Sequence, residues 1–173
     1  MKEVLQMGDP ILREQAKVVP LKEISSPKFK KYIKEMKAVV DETLDGVALA
    51  GPQIGISYRI FVLAEKILKI EGLEKNKQMV FINPTITKRS QKKVELEEGC
   101  LSVKNIYGLI KRSEKVTVEA LDERGEKFSQ SASGLLAQVF QHEIDHLDGM
   151  LFVDKAYDLE EVIEEENNDN STV

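Results

Sequence analysis

The sequence predicts an α+β fold: short antiparallel sheets packed around a buried C-terminal helix that carries His142-Glu143-Ile144-Asp145-His146. Three observations support this. Apolar residues recur at helical spacing twice, once early and once late in the chain. Between those segments lie many short stretches rich in β-branched residues, bounded by turn formers. Strand and helix do not alternate regularly, which argues for α+β rather than a parallel βαβ architecture.

The elements follow in order. After Met7 to Arg13 (MGDPILR), Ser26 and Pro27 read as an N-cap and a first-turn proline. Phe29, Tyr32, Ile33, Met36, Val39 and Val40 then mark a helix, with Gly46 as its stop. GVALAGPQIG, from Gly46 to Gly55, reads as a loop. RIFVLA (Arg59–Ala64) and MVFIN (Met79–Asn83) read as short buried strands around a charged segment near Glu71 to Gln78. From Ile86 to Gln130 the pattern is β, through VELEEGCLSV, KVTVEAL, a turn at Asp122 to Gly125, and KFSQS. A second helix runs from Leu135 to Leu147 and closes at Gly149. The stretch from Leu159 to Val173 is acidic, extends a helix briefly at most, and ends as a disordered tail.

The chain of 173 residues shows no internal repeat and no Gly/Ser- or Pro-rich linker, so a single domain over residues 1–158 is expected, with an acidic tail over 159–173. Lys plus Arg number 25 against 30 Asp plus Glu, a net charge of −5, which argues against a dedicated nucleic-acid grip. No apolar run is long enough to span a membrane. Met1 to Pro10 lacks the apolar core of a secretory signal. The single cysteine, Cys100, cannot form an intrachain disulfide. A reducing, cytoplasmic setting is therefore expected.

The chemistry concentrates near the C-terminus. Residues four apart on a helix sit one turn above each other, so His142 and His146 can reach one metal ion. Leu135, Val139, His142 and His146 share one stripe, while Leu136, Phe140, Ile144 and Leu147 form a second apolar face. A helix apolar on two faces is buried, which places the histidines in a dry setting. Glu143 falls between the two faces, beside the metal, where a general base can take a proton from water on it. A histidine on an apolar face is ordinarily just a hydrogen-bonded core residue. Here the only two histidines of the chain land four apart with Glu next to the first, and that spacing favours a metal.

A catalytic site of this kind needs a third protein ligand. A histidine six residues after His146, the metzincin arrangement, is excluded because Phe152 stands there. A downstream glutamate is the second option, but Glu160, Glu161 and Glu164 to Glu166 lie in a polar tail. The remaining soft donor is Cys100, which follows a glycine, Gly99, at the end of an alternating strand.

At these residues the chain resembles the peptide deformylase family. EGCLS (Glu98–Ser102) and QHEIDHLDG (Gln141–Gly149) stand as the family has them, and GVALAGPQ (Gly46–Gln53) matches its first block, Gly-x-Gly-x-Ala-Ala-x-Gln. Gly8-Asp9-Pro10-x-Leu12-Arg13 is similar to the family's start, so the likeness extends from near the N-terminus to about Asp154. The resemblance implies a hydrolase that removes the formyl group from the N-terminal formyl-methionine of newly made proteins. It implies Cys100, His142 and His146 as metal ligands and Glu143 as the acid/base. The Gln53 side-chain amide and the Leu101 backbone N–H would hold the oxyanion. The methionine pocket would involve Val47, Leu135, Val139 and His142, with Ala48, Gly99 and Tyr107 bordering the substrate. The metal implied is one divalent ion, Fe(II) by likeness, while the donor set also suits Zn, Ni or Co. The partners implied are N-formyl-methionyl nascent peptides and, weakly, the ribosome.

Second-layer roles are expected for Glu98 and Arg112, which would pair behind the metal loop. Asp145 would accept a histidine N–H or face solvent. The first block departs twice from the family: Ala48 replaces a glycine and Gly51 an alanine. Lys104-Asn105 stands where the family often has a proline. Two other readings stay open here, a deformylase-like protein of weak or altered activity, and a zinc peptidase using a tail glutamate.

Overall fold

The structure, a computed structural model, describes residues 2–72 and 78–162. A short helix α1 (Leu21–Ile24) precedes the long helix α2 (Pro27–Glu42). Ser26 caps α2, its hydroxyl accepting the Phe29 N–H at 3.1 Å, and Pro27 occupies the first turn. The helix ends before Gly46. Thr43 is already extended, its hydroxyl donates to the Val40 carbonyl at 2.7 Å, and the Lys66 ammonium donates to the carbonyls of Thr43 and Leu44. Gly46 serves another purpose: a Cβ there would lie 2.5 Å from Thr43 Oγ1 and 2.7 Å from Leu101 Cδ1. It is a close-approach glycine rather than a helix stop.

The segment expected to be loop instead contains a strand, β1 (Ala48–Ala50), followed by a 3-10 turn over Gly51–Ile54. β1 pairs antiparallel with β2 (Ile60–Leu63), and a short helix α3 (Lys66–Ile70) follows. β3 (Val80–Arg89) runs well past the expected Asn83, because a bulge near Pro84 lets the proline sit where no ladder N–H is needed. The hairpin of β4 (Lys93–Cys100) and β5 (Val103–Ser113) comes next, then β6 (Lys115–Leu121), β7 (Lys127–Ser133) and helix α4 (Gly134–Leu147). The last described strand is β8 (Tyr157–Glu161).

Two sheets result, one in the order β1-β2-β3-β6-β7 and one in the order β4-β5-β8, with every strand pair antiparallel. Alternate residues of β1 to β3 face opposite sides of the first sheet. Leu49, Ile60, Val62, Val80 and Ile82 pack under Phe29, Ile33, Met36 and Val40 of α2. Ala48, Ala50, Phe61, Leu63 and Phe81 pack under Leu136, Phe140, Ile144 and Leu147 of α4, with Phe61 and Phe81 stacked at 4.5 Å. Because both faces are covered, these strands read as unbroken apolar runs rather than as alternating ones. Burying a large apolar side chain of this kind stabilises by about 1.5–3 kcal/mol.

Gln141 ties α4 to the second sheet. Its carboxamide accepts the Ser113 N–H at 3.0 Å and donates to the Ser113 carbonyl at 3.0 Å. α4 is therefore clamped between the two sheets, its histidine stripe turned toward the β4–β5 hairpin. Where a brief helix was expected at Leu159, β8 pairs instead with β5, Tyr107 standing opposite Glu160. Glu164 to Glu166 lie outside the described residues.

Candidate metal centre

Two elements bring three donors together. The last residue of β4 contributes Cys100, and successive turns of α4 contribute His142 and His146. One ligand atom from each lies within 4.8 Å of the others. Cys100 Sγ is 3.2 Å from His146 Nε2, which is 3.1 Å from His142 Nε2. Ligand–ligand edges of roughly 3.3–3.6 Å are what tetrahedral bonding at about 2.0–2.3 Å requires, so the spacing suits one small divalent cation. Glu160 and Glu161 are exposed on β8, away from this cluster.

The orientation of His142 is set from behind. Glu98 Oε1 lies 2.5 Å from His142 Nδ1, which leaves Nε2 with its lone pair toward the other donors. Arg112 grips the same carboxylate in a fork, at 3.1 Å through Nε and 2.6 Å through Nη2. Burial works against a charged Glu98, but the contacts with His142 and Arg112 outweigh it and bring the carboxyl down to about 2. Asp145 neither meets a histidine nor faces solvent. It is buried and accepts from Arg112 at 2.6 Å and from Lys155 at 2.9 Å. Burial disfavours the charged form of His142, yet the Cys100 sulfur and Glu98 raise its proton affinity above that of free imidazole. His146 moves the other way, lowered by burial and by the neighbouring charge of His142.

Glu143 sits on the same helix but belongs to a different environment. It is only 4% exposed, and its Oε2 finds no hydrogen-bond partner among the described residues. Burial pushes its carboxyl up to about 7. An orphaned carboxylate oxygen beside a thiol and two imidazoles that converge is a site built for a further group. The donor set and the unpartnered Glu143 both fit a catalytic divalent metal.

The cluster floors a cavity of about 410 Å³. Gln53, Cys100, Leu101, His142 and Glu143 line it, while His146 lies behind at 1% exposure. Val47, Ala48, Gly99, Tyr107, Leu135 and Val139 line it as well. Gln53 is held at both ends. Its Oε1 accepts the Ala50 N–H at 2.8 Å, so Nε2 points inward, 3.1 Å from Ser102 Oγ and 3.6 Å from Cys100 Sγ. Gly99 is needed for shape, since a Cβ there would meet the Tyr107 ring at 2.7 Å.

Sequence reasoning missed Ser102 and Gln138. Gln138 lines the cavity and donates to the Glu97 carbonyl at 2.9 Å. Its place one turn before His142 on α4 was the available signal. Ser102 was visible only as part of EGCLS, with nothing to say that its hydroxyl meets Gln53.

Known proteins are similar to this chain over most of its length. The family model for polypeptide deformylase matches residues 1–162. Peptide deformylase 2 of Clostridium acetobutylicum is 40% identical over 156 residues, covering 89% of this chain and 94% of that protein. The peptide deformylase of Carboxydothermus hydrogenoformans is 45% identical over 154 residues, covering 89% and 92%. Among solved structures, the Thermotoga maritima peptide deformylase superposes with a TM-score of 0.79 at 37% identity, over 91% of this chain and 98% of that one. The Synechococcus elongatus peptide deformylase in complex with actinonin gives 0.80 at 34% identity, over 91% and 81%. With most of its length matched by these relatives and its donors arranged as described, this chain belongs to the polypeptide deformylase family.

Proposed function

We propose that this protein is a metal-dependent hydrolase that removes the N-formyl group from the formyl-methionine of newly made proteins and releases formate. The observation that carries this reading is the convergence of Cys100, His142 and His146 at the floor of a cavity beside the unpartnered carboxylate of Glu143. These three side chains would hold one divalent cation, which when bound supplies a Lewis acid and activates water. Iron(II) is the cation we infer from family likeness, although zinc, nickel or cobalt suits the same donors.

The chain's own residues supply the rest. Hydrolysis breaks the formyl C–N bond, water's oxygen goes to formate, and a proton must reach the released amine. Glu143, buried and within the cavity, takes that proton from water and hands it to the nitrogen. Negative charge gathers on the formyl oxygen, where the Gln53 amide and the Leu101 N–H act as donors; a single donor of this type is worth about 2.7–4 kcal/mol. Val47, Leu135 and Val139 offer apolar surface to the unbranched methionine side chain. The substrates are N-formyl-methionyl nascent peptides, met in the cytoplasm at the ribosome through a weak contact. No helix among the described residues is long and apolar enough to cross a membrane.

Purification without oxygen, metal analysis and a formate-release assay on formyl-Met-Ala-Ser test this reading together. One equivalent of divalent metal and turnover that disappears on chelation are expected. Cleavage of an unformylated peptide bond instead would favour a zinc peptidase.

A further inference from the structure

We propose that Gln6, in the segment before α1, is a positioning residue: it fixes the peptide unit between Leu101 and Ser102, and with it the Leu101 N–H assigned to the formyl oxygen. The inference rests on the proposed hydrolysis and adds to it a residue remote in sequence from every donor.

Cys100 and Val103 pair across the β4–β5 hairpin, which leaves Leu101 and Ser102 as its two-residue turn. The central carbonyls of such a turn have no partner in the ladder and must find one elsewhere. The segment Val4–Met7 supplies both partners. The Gln6 side-chain amide donates to the Leu101 carbonyl at 3.0 Å, and the Met7 N–H donates to the Ser102 carbonyl at 2.7 Å. The amide of Gln6 also donates to the Val4 carbonyl at 3.0 Å, which pins the side chain to its own segment. Two carbonyl oxygens converge on this amide, so its NH2 end must face them. The segment is itself anchored. Val4 packs against the core cluster under α2, and Leu5 against the cluster of Leu12, Ile110 and Phe152. The Leu5 N–H donates to the Gln53 carbonyl at 2.8 Å, so one short segment braces the main chain at both oxyanion donors.

The peptide unit that Gln6 holds also reaches the metal ligands. Its carbonyl end, on Leu101, accepts from Gln6, and its N–H end, on Ser102, donates to Cys100 Sγ at 3.4 Å. A donor on the carbonyl oxygen polarises the amide and strengthens the N–H at its far end. The Leu101 side chain only packs, against Gly46, so the directional contact on this residue's carbonyl comes from Gln6. Without it the turn is free to rotate about this peptide, and the Leu101 N–H moves with it. A donor to an oxyanion works only where the charge develops, and a misplacement of about 1 Å costs about a hundredfold.

The test uses the full, metal-loaded chain and compares Gln6→Met, similar in length but without a donor, with Gln6→Lys, which restores one. Gln6→Met should keep one equivalent of metal and lower kcat on formyl-Met-Ala-Ser by about tenfold to a hundredfold, with KM within about twofold. Gln6→Lys should recover kcat to within about threefold of the unaltered protein. In the cobalt(II)-loaded protein, the thiolate-to-cobalt absorption band of Gln6→Met should move to longer wavelength, because a weaker N–H contact leaves the sulfur easier to oxidise. The band is read without substrate. If the unaltered protein releases no formate, the proposed hydrolysis fails and the band alone decides the role of Gln6. An unchanged kcat, a change confined to KM, an unmoved band or an equal loss in both variants would overturn the proposal.

Discussion

Glu98 and Arg112 form a buried pair whose partners extend on both sides, to His142 on one and Asp145 on the other. Taking the cation out leaves Glu98 with only His142 to balance it. Arg112→Leu should therefore cost about 3–5 kcal/mol, read as a lower midpoint in urea unfolding. At the metal, Cys100→Ala should lose bound metal at neutral pH, whereas Glu160→Ala, on the exposed edge strand, should retain it; retention by the cysteine variant would reopen the tail-glutamate reading. Ala48 is 6% exposed and lines the cavity, where its methyl takes space that a glycine would leave open. Ala48→Gly should raise kcat/KM by about fivefold to tenfold, chiefly through a lower KM on formyl-Met-Ala-Ser, because the relief acts on the whole bound chain. An unchanged KM would mean that the turn has repacked around Ala48. Gly51 sets how far it can do so, since a Cβ there would lie 2.7 Å from the Ile56 carbonyl oxygen.

At the scale of elements, legibility follows length and periodicity. α2 and α4 were readable because each shows several turns of apolar spacing, and Ser26-Pro27 marks where α2 begins. β1 was not readable. It has three residues, two of them alanine, and becomes a strand only because β2 pairs with it. β8 was hidden for the opposite reason: Tyr157–Glu161 is polar and exposed, without the apolar alternation of a half-buried strand, and its backbone pairs with the sheet at Ile106, Tyr107 and Leu109. The 3-10 turn before it is held by Asp154, which accepts the Leu151 N–H and pairs with Arg13 at 2.5 Å. The Arg13 contact lowers the Asp154 carboxyl below its usual value. A depressed folded value adds stability at neutral pH that is lost as pH falls through it. Asp154→Asn should thus destabilise by less than about 1 kcal/mol at pH 7, the pair being half exposed, and the difference should vanish in thermal melts well below pH 4.

At the scale of the molecule, the candidate site joins residues far apart in sequence through one arrangement: α4 clamped between two sheets, its stripe facing the end of a β hairpin. The donor residue types and the spacing of His142 and His146 were legible in the chain. The link from Asp145 to Arg112 was not, because only the packed fold brings β5 against α4. In the proposed reaction Cys100, His142 and His146 hold the metal while Glu143 carries the proton. Metal content and formate release measured on one preparation of Glu143→Ala test it most directly. One equivalent of metal is expected, with activity reduced by at least about 10²–10⁴-fold. Loss of the metal from this variant, or activity close to that of the unaltered enzyme, would contradict it.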